Sequence, residues 1–329
     1  MIVVTGAAGF IGSGVVARLN EMGREDVIVV DDYTCTKQFS ENANNLKKFN
    51  LQNKKFAEFV DKDDFVQKLE SGELSGIECI IHMGACSSTT LQDKQYFQEN
   101  NLTYTQRLCQ WALDNDVRFI YASSAATYGD GSIGYKDDDE SVKNCKPLNM
   151  YGQSKQDFDE WVLEGGLDNK IVGLKFFNVF GPNEYHKEDM RSVVAKSYKT
   201  VVDEGKISLF KSYKPEFDDG EQKRDFVYVK DVVEVILYFM ENKKVNGIYN
   251  VGTGQARSWN DLANALFAAV GKEPVINYIE MPEILKDKYQ YFTEADMSKL
   301  FDSGYSKPFT SLEDAVKDYA GYLKDNSYW

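Results

Sequence analysis

Short apolar runs alternate with stretches of helical spacing through the first half of the chain. Residues 2 to 5 are apolar and β-branched, and they lead into Gly6-Ala7-Ala8-Gly9-Phe10-Ile11-Gly12. A helix-like stretch, Val15 to Met22, follows and stops at Gly23, and a second β-branched run, Val27 to Val30, closes the unit. The alternation continues with strand-like Cys79 to His82, helical Tyr96 to Leu113, strand-like Phe119 to Ala122, helical Met150 to Leu163 and strand-like Ile171 to Phe177. Strands and helices in strict alternation predict an α/β fold built on a doubly wound parallel sheet of Rossmann type. After Gly181-Pro182 the pattern loosens into helical Ser192 to Val202 and the acidic loop Glu216 to Glu221. This marks a smaller C-terminal α/β lobe. Two later runs, Phe226 to Val229 and Ile248 to Val251, are expected to return to the sheet. The predicted division is 1–179 with returning segments at about 226–253 for the first domain, and 180–225 with 254–329 for the second.

Composition narrows the class. A chain of 329 residues, 43% hydrophobic, has material for a large packed interior,. It contains no apolar run long enough for a membrane span, and Met1 leads into Ile2 to Val4 without a basic leader, so the expected compartment is the cytoplasm,. A formal charge of -14 opposes binding to nucleic acid, which needs clustered lysine and arginine,. The five cysteines, Cys35, Cys79, Cys86, Cys109 and Cys145, are widely spaced and read as reduced thiols,. With only His82 and His186, no metal site is expected,. The acidic cluster Asp137 to Glu140 reads as a solvated loop.

Chemistry enters at three places. The turn holding Gly6, Gly9 and Gly12 sits between a strand and a helix, with Asp31 and Asp32 at the end of the second strand, which is the setting of a dinucleotide fingerprint,. Its glycines allow a pyrophosphate to approach the helix N-terminus. The acid favours the free ribose hydroxyl of NAD, whereas Lys37 and Lys62 could neutralise the extra phosphate of NADP, so both cofactors remain open. Tyr151 and Lys155 lie four residues apart and would share one helix face, where an ammonium is expected to lower the phenol pKa. Ser124, in the run Tyr121-Ala122-Ser123-Ser124-Ala125-Ala126-Thr127-Tyr128-Gly129, sits where an open α/β sheet binds its ligands,.

Glycine turn, serine run and Tyr-x-x-x-Lys together resemble the extended short-chain dehydrogenase/reductase family. Downstream, Phe177-Asn178-Val179-Phe180-Gly181-Pro182, the run Arg224 to Val232, and Asn250-Val251-Gly252-Thr253-Gly254 resemble its nucleotide-sugar branch. His82 to Thr90, His186-Lys187 and Tyr289 to Thr293 narrow the resemblance to members that act on an ADP-linked heptose. The resemblance implies Tyr151 as acid/base, Lys155 as its electrostatic partner, Ser124 as the group orienting the substrate hydroxyl, and Lys187 as a second acid/base. It implies NADP as cofactor, with NAD not excluded, held by Phe10, Ile11, Asp31, Asp32, Lys37, Lys62, Met83, Gly84, Ala85, Cys86, Ser87, Asn100, Lys155, Val179 and Lys187. The implied substrate contacts are Asn178, Asp189, Lys196, Phe210, Lys211, Ser212, Tyr213, Arg224 and Tyr289, with Arg224 gripping the pyrophosphate. It further implies a homo-oligomer, with a pentamer among the options, serving synthesis of the lipopolysaccharide inner core.

The sequence departs from the family pattern in places. Where the family tends to have His-Glu-Gly-Ala, His-Lys-Gly-Ser and Phe-Glu-Gly-Ser, this chain has Met83, then Glu188 and Asp189, then Phe210 to Tyr213. The implied activity is inversion of a carbinol carbon through a transient ketone, because such a carbon carries no acidic proton. Two alternatives remain beside it: another nucleotide-sugar epimerase, such as a UDP-hexose 4-epimerase, and a non-catalytic dinucleotide sensor. A 4,6-dehydratase is disfavoured, since Ala125 and Ala126 rather than an acid follow Ser124.

Overall fold

The computed structural model describes residues 1–33, 37–38, 40–286 and 289–329. Cys35, expected to be a reduced thiol, lies outside the described residues; Cys79, Cys86, Cys109 and Cys145 are buried. Twelve strands occur among the described residues: β1 (Ile2–Thr5), β2 (Val27–Asp31), β3 (Glu58–Asp61), β4 (Cys79–His82), β5 (Arg118–Ser124), β6 (Val172–Phe176), β7 (Asn178–Phe180), β8 (Ile207–Phe210), β9 (Lys223–Tyr228), β10 (Gly247–Val251), β11 (Ala256–Ser258) and β12 (Ile276–Ile279). Seven form the central sheet in the order β10-β6-β5-β4-β1-β2-β3, with every neighbour parallel. Among the described residues, no helix is long and apolar enough to cross a membrane.

The sheet is buried on both faces, and the sequence shows why its strands read as continuous apolar runs. Ile2 and Val4 pack into one cluster with Val27, Val29 and Ile81, while Val3 packs into another with Ile28, Val30 and Ile80. Successive side chains point to opposite faces, so both must be apolar. A third cluster, built on Val194, Leu209, Leu266 and Val316, is the core of the smaller lobe. Two small sheets flank it, β11-β9-β7 and β12-β8.

Four expectations change. The first helix runs Phe10–Glu21 rather than from Val15, because packing holds the glycine-rich start helical. At Gly12 a Cβ would come within 2.2 Å of the Gly6 carbonyl oxygen, so that early turn requires glycine,. The long helix expected over Tyr96 to Leu113 is interrupted by a π turn at Gln98–Thr103. Of the two late runs, β10 joins the central sheet beside β6, whereas β9 pairs with β7 and β11. Asp137 is not solvated: it is buried and accepts the Asn250 backbone N–H at 2.7 Å, while Asp138 caps the short helix Asp139–Lys143.

Candidate active site

The strand order reverses between β1 and β4, and a cleft of about 570 Å³ opens at the carboxyl ends of these strands and of β5,. The glycine turn forms its floor. Gly6 has φ +63°, and a Cβ there would lie 2.7 Å from the Gly84 backbone, so the two loops that cross the switch point touch as bare main chain,. Gly9 begins the Phe10–Glu21 helix without a capping side chain, leaving first-turn N–H groups for an anion,. Phe10, Ile11 and Gly12 line the cleft with Gly6 and Gly9, and the segment Met83 to Ser87 forms the facing wall.

At the end of β2 the structure assigns the two acids different work. Asp31 is buried; one oxygen accepts the Ala8 N–H at 2.6 Å, and the other accepts the Lys47 ammonium and the Asp32 N–H at 2.7 Å. Its carboxylate therefore holds the glycine turn and is charge-compensated, and Asp32 lines the cleft beside it. Lys47 lines the cleft and had no signal in the sequence, since only the tertiary fold brings its helix to β2. Lys62 also lines it, donating to Asn100 at 2.8 Å. Lys37 lies outside the cleft lining and is bound to Asp93 at 2.7 Å.

Ser124 ends β5, and Tyr151 opens the Met150–Glu164 helix, whose start is capped by Asn149 accepting the Gly152 N–H at 2.8 Å. The two meet in the cleft, where the Ser124 hydroxyl lies close enough to the phenol to lower its pKa. The π turn supplies Asn101, which bonds both backbone groups of Cys86, at 2.8 and 2.9 Å, and the Ser154 hydroxyl at 2.9 Å. It thereby ties the Met83 to Ser87 loop to the tyrosine helix. Lys155 is buried and donates to the Ala122 carbonyl at 2.8 Å. Burial lowers its ammonium to about 8, opposed by Asp159 and Cys86.

The phenol itself departs from expectation. Burial raises the Tyr151 pKa, and the chief opposing influence is the nearby Ser124 hydroxyl rather than Lys155. The reason is geometric: the Lys155 ammonium is directed at the Ala122 carbonyl. His82, behind this site, bonds Thr5 at 2.6 Å and Thr105 at 2.9 Å, and burial depresses it to about 3, so it stays neutral.

Lys187 reaches the same cleft from the turn Tyr185–Met190, its ammonium 5.0 Å from the centre of the Phe10 ring. Although the side chain is partly exposed to the cleft, desolvation at the ammonium lowers its pKa, helped by Lys196 and opposed by Glu184. Of the expected substrate contacts, Asn178 and Lys196 line the cleft, as does Val179 on the cofactor side. The others lie outside its lining. Asp189 is exposed, with its carbonyl accepting from Lys196 at 3.2 Å. Past Phe210 at the end of β8, Lys211 is bound to Glu280 at 2.7 Å, Tyr213 also donates to Glu280, and the Ser212 hydroxyl donates to the Lys214 carbonyl. Arg224 is buried 5.0 Å from the Tyr289 ring and 5.8 Å from that of Trp259, which does line the cleft. Trp259 was missed because its segment carries no recognisable motif, and Gln290 and Thr293, inside the run Tyr289 to Thr293, were not singled out as site residues.

The sequence profile of the NAD dependent epimerase/dehydratase family matches residues 2–252. The chain belongs to this family. Its cofactor is accordingly a nicotinamide dinucleotide, for which the glycine cradle and the free helix N-terminus are shaped. Among relatives within this family, the ADP-L-glycero-D-manno-heptose-6-epimerase of Nitratidesulfovibrio vulgaris (strain DP4) is 51% identical over 320 residues, covering 97% of this chain and 96% of the relative. The solved structure of the Helicobacter pylori ADP-L-glycero-D-manno-heptose-6-epimerase superposes with a TM-score of 0.79 at 32% identity, covering 98% of this chain and 96% of that one. A UDP-glucuronic acid 4-epimerase from Bacillus cereus, solved with UDP-glucuronic acid and NAD, gives a TM-score of 0.78 at 25% identity over 99% of each chain.

Proposed function

We propose that this member of the epimerase/dehydratase family inverts C6 of the heptose in ADP-D-glycero-D-manno-heptose to give ADP-L-glycero-D-manno-heptose, through a transient 6-keto sugar. The observation that carries the reading is one cleft holding two separately mounted proton-transfer groups, Tyr151 with Ser124 on one side and the desolvated amine of Lys187 on another element. The names of relatives alike over nearly the full length supply the substrate.

When bound, the dinucleotide supplies the hydride acceptor and donor for the carbinol carbon. Tyr151 takes the hydroxyl proton in one orientation of the carbinol, and Ser124 holds that hydroxyl in line. After the exocyclic carbon of the ketone has turned, its carbonyl oxygen, which must gain a proton on re-reduction, lies beyond reach of the same phenol, because proton transfer needs hydrogen-bond distance. Lys187 serves that second orientation, desolvation lowering the pKa of its ammonium and so easing release of its proton,. Arg224, beside the Tyr289 and Trp259 rings, is the residue assigned to the ADP pyrophosphate,. For the cofactor, NADP is favoured by Lys47 compensating Asp31 and by Lys62 in the cleft lining. The reading includes a cytoplasmic homo-oligomer, which light scattering would test.

The test is an NMR assay with ADP-D-glycero-D-manno-heptose, together with mass analysis of the dinucleotide released on denaturation. Inversion at C6 and a 2′-phosphorylated dinucleotide are expected. Inversion of a UDP-hexose with the heptose untouched would overturn the substrate, and NAD alone would overturn the cofactor choice. Lys187→Met is expected to bind the ADP-heptose normally yet lose at least about 100-fold in turnover; wild-type turnover would remove Lys187 from the chemistry.

A further inference from the structure

A buried ion pair stands behind the tyrosine helix. Asp159 follows Lys155 by one helical turn, Lys175 comes from the middle of β6, and their Oδ2 and Nζ atoms are 2.6 Å apart with both side chains 0% exposed. The carboxylate also accepts the Tyr121 hydroxyl at 2.9 Å and the Ser123 hydroxyl at 2.6 Å. The ammonium also donates to the Thr127 hydroxyl at 2.8 Å, and Thr127 donates in turn to the Ser124 carbonyl at 2.8 Å. Residues on both sides of Ser124 are therefore anchored to one pair. Lys175 lies inside the otherwise apolar stretch Ile171 to Phe177, and the proposed reaction leaves it unused.

Stability gives a weak reason for such a pair, because stripping water from two charges offsets most of their attraction, and apolar residues of the same volume often serve as well. The surroundings suggest another reason. Ser124 from β5, Cys86 from the loop after β4 and Asp159 from its own helix act on Tyr151, while Lys155 is coupled to Asp159, Cys86 and, on β4, His82. Asp159 acts on both members of the dyad, and Lys175 balances it. We propose that Asp159 and Lys175 are positioning residues of the hydride-transfer site, which hold Ser124 within reach of Tyr151 and fix the charge felt by the Tyr151–Lys155 dyad.

The proposal rests on Tyr151 being the acid/base, so its test uses a readout that needs no substrate. The Tyr151 phenol is titrated by NMR in protein carrying carbon-13 at the tyrosine Cζ, its signal assigned by absence from Tyr151→Phe. Asp159→Asn removes a negative charge and is expected to lower the titration midpoint; Lys175→Met leaves that charge unbalanced and is expected to raise it. Shifts in opposite directions are the signature, since a loosened fold would not sort them by sign. In turnover, both variants are expected to lose about tenfold or more in kcat with KM within about threefold, and Lys175→Arg to retain wild-type kcat within about threefold. Unmoved midpoints, or movement in the same direction, would overturn the proposal. Should the single variants not fold, the apolar pair Asp159→Leu with Lys175→Met takes their place: a folded protein with normal KM and depressed kcat supports positioning, and wild-type kcat overturns it. A fully active Tyr151→Phe would instead overturn the functional reading.

Discussion

Glu188, next to Lys187 in the cleft wall, has φ 49° and ψ -123°, a conformation that suits glycine and strains a residue with a Cβ,. Glycine is what the resembling family tends to have there, so the backbone shape has been kept while the residue that suits it has changed. Strain of this kind costs about 1–3 kcal/mol. Glu188→Gly relieves it but frees the unfolded chain, a loss of about 0.5–1 kcal/mol. The side chain itself contributes little: it is exposed, and its carboxylate accepts one long bond from the Ser40 N–H at 3.4 Å,. A net gain of about 1 kcal/mol is expected. With an unfolding entropy of about 2.1 cal/mol/K per residue, that raises Tm by about 1.5 °C for a chain of this length. Scanning calorimetry on wild type, Glu188→Gly and Glu188→Ala separates the causes, because alanine removes the charge and keeps the Cβ. Glycine should stabilise and alanine should not, with turnover of Glu188→Gly within about twofold of wild type because the backbone holding Lys187 is unchanged. Equal stabilities for the glycine and alanine variants would refute the strain argument.

Further outcomes follow from the site. Lys155 is held at about 8, below the ordinary lysine value, so between about pH 8 and 10.5 the unfolded chain keeps a proton that the folded chain has released,. Folded stability from this group is therefore missing at neutral pH and recovered as pH rises; chemical denaturation should show the stability of Lys155→Met relative to wild type falling by an amount on the order of 3 kcal/mol from pH 7 to pH 10, and a pH-independent difference would contradict the burial argument. Arg224→Lys should weaken ADP binding by about tenfold or more, because an ammonium cannot offer two parallel donors to a pyrophosphate; an unchanged Kd by calorimetry would take Arg224 out of the substrate site. Lys47→Met strips Asp31 of its countercharge and should weaken NADP binding by about tenfold or more while affecting NAD less,; equal losses for the two cofactors would show that Lys47 only holds the turn.

Local patterning was enough for much of this protein. A β-branched run ending in three spaced glycines can hardly avoid becoming a strand, a tight turn and a helix start, and runs apolar at every position must be buried on both faces, so the parallel sheet was legible before any coordinates. The pairing of Tyr151 with Lys155 needed only the helical repeat. What the repeat could not say is where a side chain's partner comes from. Lys155 spends its charge on the Ala122 carbonyl, so the expected lowering of the Tyr151 phenol is replaced by a rise from burial. Asp31 is matched with Lys47, and Asp159 with Lys175, across elements whose meeting depends on sheet order. Likewise β3 is an edge strand with one buried residue, Val60, too weak a pattern to recognise, and β9 leaves the central sheet for reasons of pairing alone. Periodicity is a property of neighbours in sequence and dictates the elements; burial, charge balance and the assembly of the cleft depend on contacts between distant segments, which only the tertiary structure decides.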